Sequence, residues 1–110
     1  MPHIKLRGVP KGELVKNSTE IIDALAEIIT CDRTWFTLEH IESEYIFDGE
    51  ITYGCTFAEV FWFERGEVIK TLTAQCLTKI LKKINNNNDV TILFFALTGD
   101  NYYENGEHFQ

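Results

Sequence analysis

The chain is predicted to be an α/β protein (α+β in some schemes), with two β-α-β units forming one four-stranded mixed sheet and two helices on one face. Two long stretches with helical apolar spacing are each flanked by short β-branched or aromatic runs. A motif also recurs: Lys11-Gly12-Glu13-Leu14-Val15-Lys16 matches Arg65-Gly66-Glu67-Val68-Ile69-Lys70 at an offset of 54 residues. The same shift places Phe36-Thr37-Leu38 on Val90-Thr91-Ile92, and Ile4 and Leu6 on Ala58 and Val60. Each half is expected to make a right-handed crossover between parallel strands. The 110 residues read as a single domain, with pseudo-repeats at approximately 2–41 and 56–97 and a tail over 98–110.

Ile4 to Arg7 alternates apolar and basic residues, so it reads as a strand with Ile4 and Leu6 on one face. Gly8 to Gly12 is turn material. Glu13 to Thr30 is predicted to be a helix through Leu14, Ile21, Ile22, Leu25 and Ile28, with Glu13 at the positive end of its dipole. Thr30 to Arg33 closes it, and Trp35 to Ile41 is the second strand. Glu42 to Cys55 holds the turn signals Asp48-Gly49 and Tyr53-Gly54 and fits either an Ω-type loop or a short hairpin. Thr56 to Phe63 is the strongest strand, broken by Glu64-Arg65-Gly66. Glu67 to Ile84 is a second amphipathic helix, with Val68, Leu72, Cys76, Ile80, Leu81 and Ile84 on its apolar side. Asn85 to Asn88 is a polar stop, and Val90 to Leu97 is the fourth strand.

Composition excludes several classes. A net charge of -7 argues against nucleic acid or an anionic membrane as partner, since both require a basic face. Cys31, Cys55 and Cys76 are odd in number and form no CxxC pair, so a reduced, cytoplasmic setting is expected. His3, His40 and His108 are scattered, and neither a metal nor a cofactor is expected. The start lacks the basic-then-apolar pattern of a signal peptide, and no apolar run is long enough to span a membrane.

Strand parity divides the sheet. The helix-covered face takes Ile4, Leu6, Phe36, Leu38, Ala58, Val60, Val90, Ile92 and Phe94. The opposite face takes Lys5, Arg7, Trp35, Thr37, Glu39, Ile41, Phe57, Glu59, Phe61, Phe63, Thr91, Leu93, Phe95 and Leu97. Two helices cannot cover both faces, and the second is still strongly apolar, so it is expected to be buried against another chain. Lys5, Glu39 and Glu59 then sit among aromatics. They form either a structural ion pair or a proton relay toward Pro2. Glu64 and Arg65, at a strand end, are expected to be solvated.

Pro2 carries the distinctive chemistry. Trimming of Met1 leaves a free secondary amine at the start of a strand, and a neutral amine there is a general base. With Met1 retained, the Pro2 nitrogen is an amide and cannot act. The bland alternative is that Pro2 merely follows the start codon.

Met1-Pro2-strand followed by two related β-α-β units resembles the tautomerase superfamily, which includes 4-oxalocrotonate tautomerase and macrophage migration inhibitory factor. The start Met1 to Val9, Phe36 to Ile41, Ala58 to Gly66 and the tail Asn101 to Phe109 resemble, more closely, the bacterial DUF1904 family. The resemblance implies a homotrimer with sheets inward, and Pro2 as a base acting on a small anionic keto or enol acid. It places Arg33 where migration inhibitory factor has a lysine, and Phe47 near a pocket phenylalanine of 4-oxalocrotonate tautomerase. Other substrate-gripping positions differ: Val9-Pro10 and Thr37 stand where that tautomerase has arginines, and Thr91 and Leu93 where the factor has tyrosine and asparagine. In the tail, Tyr102, Tyr103 and His108 either line a pocket at the trimer interface or pack across a neighbouring subunit. The expected function is keto-enol isomerisation through Pro2. The alternatives are a non-catalytic homotrimeric binding protein and a lyase or hydratase using the same amine.

Overall fold

The computed structural model describes residues 1–109. Chain order is β1 (His3–Arg7), α1 (Lys11–Lys16), α2 (Ser18–Ile29), β2 (Thr37–His40), β3 (Tyr45–Phe47), β4 (Glu50–Thr52), β5 (Thr56–Phe63), α3 (Glu67–Ile84), β6 (Val90–Leu97), β7 (Tyr103–Glu104) and β8 (Glu107–His108). Four strands form a mixed sheet in the order β2-β1-β5-β6. The outer pairs are parallel and the central pair, β1 with β5, is antiparallel.

The strand registers carry the same 54-residue shift as the sequence motif: Ile4 pairs with Leu38, and Ala58 with Ile92. Across the centre, Ile4 lies opposite Val60 and Leu6 opposite Ala58. Alternation does what the pleat requires. Ile4, Leu6, Ala58, Val60 and Trp62 are fully buried beneath the helices. They meet Leu14, Ile21, Leu25 and Ile29 from the first helical stretch and Leu77, Ile80, Leu81 and Ile84 from α3. Each buried Val, Leu or Ile among them contributes about 1.5–3 kcal/mol by leaving water.

Several local expectations are corrected. The helix expected over Glu13 to Thr30 starts earlier, at Lys11, and is broken at Asn17. There Asn17 Nδ2 donates to the Glu13 carbonyl at 2.8 Å and Ser18 Oγ to the Val15 carbonyl at 2.9 Å, side-chain bonds that compete with the backbone ladder. Trp35 belongs to a 3-10 turn over Arg33–Trp35 and not to the second strand, because Asp32 caps that turn through the Thr34 N–H at 2.9 Å. Val68 and Leu72 are exposed. The buried stripe of α3 runs through Thr73, Leu77, Ile80, Leu81 and Ile84, and the two residues fall off it at 3.6 residues per turn.

The irregular stretch before β5 is a short hairpin, β3 with β4, turning at Asp48-Gly49 with both φ values positive (53° and 81°). After α3, Asn85 is buried and donates to Thr56 Oγ1 at 2.8 Å, while Thr56 donates to the Gly8 carbonyl at 2.8 Å. The asparagine stop therefore ties α3 to the start of β5 and the end of β1. Among the described residues, no helix is long and apolar enough to cross a membrane.

Candidate functional site at the N-terminal end of the sheet

Because β1 runs antiparallel to β5 with His3 opposite Phe61, the chain before His3 heads toward the end of β5. Phe63, the last residue of β5, pairs with Leu97, the last of β6. Pro2, the Glu64-Arg65 break and the start of the tail therefore gather at one end of the sheet. Pro2 is fully buried, and its carbonyl accepts the Thr37 N–H at 3.0 Å. Its nitrogen is here the amide of Met1, so the free amine lies one residue ahead. That amine is held below its ordinary value, first by burial. The Arg65 guanidinium adds to the depression, while the charges of Cys31 and Glu104 oppose it. Burial in turn pushes the Cys31 thiol up, with Arg65 opposing.

The tail closes over this end from its own chain. Phe109 donates its N–H to the Tyr102 carbonyl at 2.9 Å and to the Gly99 carbonyl at 3.1 Å. Its ring stacks on Phe63 at 5.5 Å, and Tyr102 meets Phe63 edge-on at 5.4 Å. The β7–β8 hairpin turns at Asn105-Gly106, again with positive φ at both residues. Tyr102 donates its hydroxyl to Glu104 Oε2 at 3.2 Å, and burial followed by the Glu104 charge raises its pKa. Tyr103 and His108 are exposed and meet each other, ring centroids 5.6 Å apart.

Other sequence candidates are engaged with their own partners or lie at the far end of β1. Arg33 Nε donates to Asp23 Oδ1 at 2.9 Å on the exposed surface after α2. Phe47 is 75% exposed on the β3–β4 hairpin. That hairpin springs from the Gly8 end of β1, the end away from Pro2, where Tyr45 packs against Gly8. Among the described residues Lys5 makes no ion pair with Glu39 or Glu59. Its Nζ lies over the Phe61 ring at 5.2 Å from the centroid. Glu39 instead meets His3 Nε2 at 3.2 Å, and Glu59 meets Arg7 at 3.8 Å.

Arg65 corrects another expectation. It is half-buried rather than solvated, and its Nε is buried without a hydrogen-bond partner. Glu64, exposed as expected, accepts the backbone N–H groups of Arg65 and Gly66 at 3.1 Å, which occupies the entry of α3. Sequence reasoning missed Arg65, Cys31 and Glu104 as neighbours of the N-terminus. The one available signal was the Asn105-Gly106 turn that folds Glu104 back.

A cleft of about 780 Å³ lies at the opposite end of β1, between Gly8–Lys11, His40–Ser43 with Tyr45, and the turn after α3. Two charges at its rim are already engaged: Lys83 with Glu20 at 3.0 Å and Glu13 with Lys16 at 3.7 Å. His40 Nε2 meets the Val9 carbonyl at 2.8 Å. No three His, Cys, Asp or Glu side chains among the described residues converge to hold a metal ion.

A mixed sheet of order β2-β1-β5-β6, backed by helices, is the tautomerase fold shared by 4-oxalocrotonate tautomerase and macrophage migration inhibitory factor. A migration-inhibitory-factor-like protein from Entamoeba histolytica superposes with a TM-score of 0.75 at 18% identity, covering 98% of each chain. A structure described as native fused 4-OT gives 0.82 at 8% identity, covering 96% of this chain and 94% of that one. The chain belongs to the DUF1904 family, described as a domain of unknown function, whose model matches residues 1–108. A family member from Sebaldella termitidis is 38% identical with a TM-score of 0.91, covering 99% of this chain and all of the other. No curated protein matches the chain.

Proposed function

We propose that this protein is a keto-enol isomerase of a small carbonyl-carboxylate compound, with Pro2 as general base once Met1 is removed. The observation that carries this is the full burial of Pro2 at a site that depresses the pKa of the chain's terminal amine. Desolvation disfavours an ammonium, so a trimmed Pro2 amine inheriting these surroundings is biased toward its neutral, proton-accepting form. It then takes a proton α to a carbonyl and returns it elsewhere on the conjugated substrate. Glu104, which accepts the Tyr102 hydroxyl, acts on the same terminal amine.

We place this chemistry in a homotrimer whose sheets face inward. The support is the uncovered sheet face, where Leu93 and Phe95 are 40% and 41% exposed. The hairpin arm adds Ile46, Phe47 and Ile51. An arm that points away from its own Pro2 brings Phe47 to a proline site only on a neighbouring copy. The three cysteines, none in a disulfide, fit a cytoplasmic setting.

The test is the intact mass of the natively expressed chain, followed by phenylpyruvate ketonisation with Pro2→Ala alongside. Loss of Met1 and a rate that collapses in Pro2→Ala sustain the reading. Retained Met1, or equal rates, would move the function to that of a non-catalytic homotrimer binding through the same cleft.

A further inference from the structure

We infer that the cleft beside Gly8 is a second small-molecule site, apart from the Pro2 end, and that it takes an uncharged aromatic compound bearing a hydroxyl group. It stands beyond the reading of Pro2 and does not depend on it.

The fold makes the same place twice. The 54-residue offset carries Pro2 to Thr56, Cys31 to Asn85 and Arg65 to Lys11. Lys11 and Asn85 line the cleft, and Thr56 adjoins it by donating its hydroxyl to the Gly8 carbonyl at 2.8 Å. The β3–β4 hairpin borders this end with Tyr45 and Thr52. The chemistry differs, however. Thr56 is an internal residue whose N–H donates to the Asp89 carbonyl at 2.9 Å, so no amine stands there to act as a base. The cleft is fitted to hold a compound rather than to deprotonate one.

Its volume, about 780 Å³, suits a small organic molecule. Val9 and Ile84, both buried, give it apolar lining beside the Tyr45 ring. The lining charges cancel, Lys11 and Lys83 against Glu13 and Glu42, and Lys83 and Glu13 already have partners. No net charge there selects an anion or a cation.

Two neutral groups remain open, both seated on the Gly8–Val9 peptide. A carbonyl only accepts, so the 2.8 Å contact of His40 Nε2 with the Val9 carbonyl puts the proton on Nε2 and leaves Nδ1 as an acceptor. The Tyr45 hydroxyl packs against Gly8, buried and without a partner. Burial pushes its pKa up, so it stays protonated and keeps a proton to donate. With no hydrogen bond to lose, its ring turns toward the cleft without breaking one. A ligand hydroxyl answers both groups, donating to Nδ1 and accepting from Tyr45. A carboxylate or a ketone only accepts and answers one.

The test is NMR and calorimetric titration of the full chain at about pH 8, where an imidazole is neutral. The probes are 2-naphthol, 2-methoxynaphthalene, which cannot donate, and 2-naphthoate, which only accepts. 2-Naphthol should bind saturably and shift the Gly8 and Val9 amide signals, leaving that of Thr37, bonded to the Pro2 carbonyl, in place. The other two should bind about 3- to 10-fold more weakly, the weight of one hydrogen bond. Tyr45→Phe should weaken 2-naphthol by a similar factor and leave urea stability undiminished, because the hydroxyl it removes has no partner in the free protein. Ser43→Trp, at an exposed position of the lining, should abolish binding by filling the cleft.

No shift at Gly8 and Val9, or a response confined to Thr37, would overturn the site. Equal or tighter binding of 2-naphthoate or 2-methoxynaphthalene would overturn the ligand class. Ser43→Trp that changes sedimentation would assign the cleft to a neighbouring copy and overturn the proposal as well. Should Ser43→Trp not fold, Tyr45→Phe decides: weaker 2-naphthol binding at undiminished stability upholds the site, and unchanged binding overturns it.

Discussion

Lys5 and Glu59 face each other directly across the antiparallel pairing of β1 and β5, yet they do not bond. They are also equivalent positions in the 54-residue shift that relates the two parallel ladders. Each turns to a diagonal neighbour: Lys5 Nζ to the Phe61 ring at 5.2 Å, and Glu59 to Arg7 at 3.8 Å, where Arg7 also covers Phe57 at 5.0 Å. Diagonal pairs on one face of a sheet lie within reach of long side chains. The uncovered face therefore alternates cations with aromatic rings and keeps its charges half-buried.

That face is the first place to test. Phe95 stacks on Phe61 with centroids 4.7 Å apart. On the homotrimer proposal, Phe95→Glu should shift sedimentation velocity toward the monomer, because an unpaired carboxylate would enter an apolar contact. Val68→Glu, on the exposed side of α3, should leave the assembly unchanged.

The proton-transfer reading gives a rate prediction. Pro2→Ala in the Met1-trimmed chain should lower phenylpyruvate ketonisation by about 10²- to 10⁴-fold, the usual weight of a positioned general base. Steady-state ultraviolet assays measure it.

The pH dependence follows from the depressed amine. In the Met1-retaining chain, NMR titration should find the terminal amine below the ordinary value of about 8. Charging it is disfavoured in the folded state, so its stability contribution is present above the unfolded pKa and lost as pH falls through the folded one. In the trimmed chain the rate should rise with pH as Pro2 becomes neutral. Arg65→Gln should move that midpoint up by removing a positive neighbour, and Glu104→Gln should move it down by removing a negative one.

Gly8 is predicted to be intolerant of a side chain. Its φ is +80°, and a Cβ would meet the Cys55 carbonyl and the Tyr45 hydroxyl. Gly8→Ala should cost about 1–3 kcal/mol in urea unfolding, from strain and displacement of the hairpin.

Trp62 is fully buried and packs on Phe94 with centroids 4.9 Å apart. Trp62→Ala should cost about 3–5 kcal/mol, whereas Val15→Ala, at an exposed helix position, should stay within about 0.5 kcal/mol. Chemical denaturation of both variants measures the contrast.

Local patterning was enough to reveal the four sheet strands, though not the bounds of the second, together with their parity, the repeat and the proline. Those signals are local: alternation sets a strand's faces, apolar spacing at threes and fours sets a helix, and both are written in neighbouring residues. Thr56–Phe63, Glu67–Ile84 and Val90–Leu97 have the boundaries that this spacing predicts. Which side chains act on the terminal amine ahead of Pro2 was settled by the packing of distant segments. Arg65, Cys31 and Glu104 lie far apart in the chain and meet through the antiparallel centre of the sheet and the folding back of the tail. Side-chain choice within reach was also decided there. Lys5 chose a ring and Arg33 an aspartate, because the partner of a long, flexible cation is set by the packed surface around it rather than by its place in the sequence.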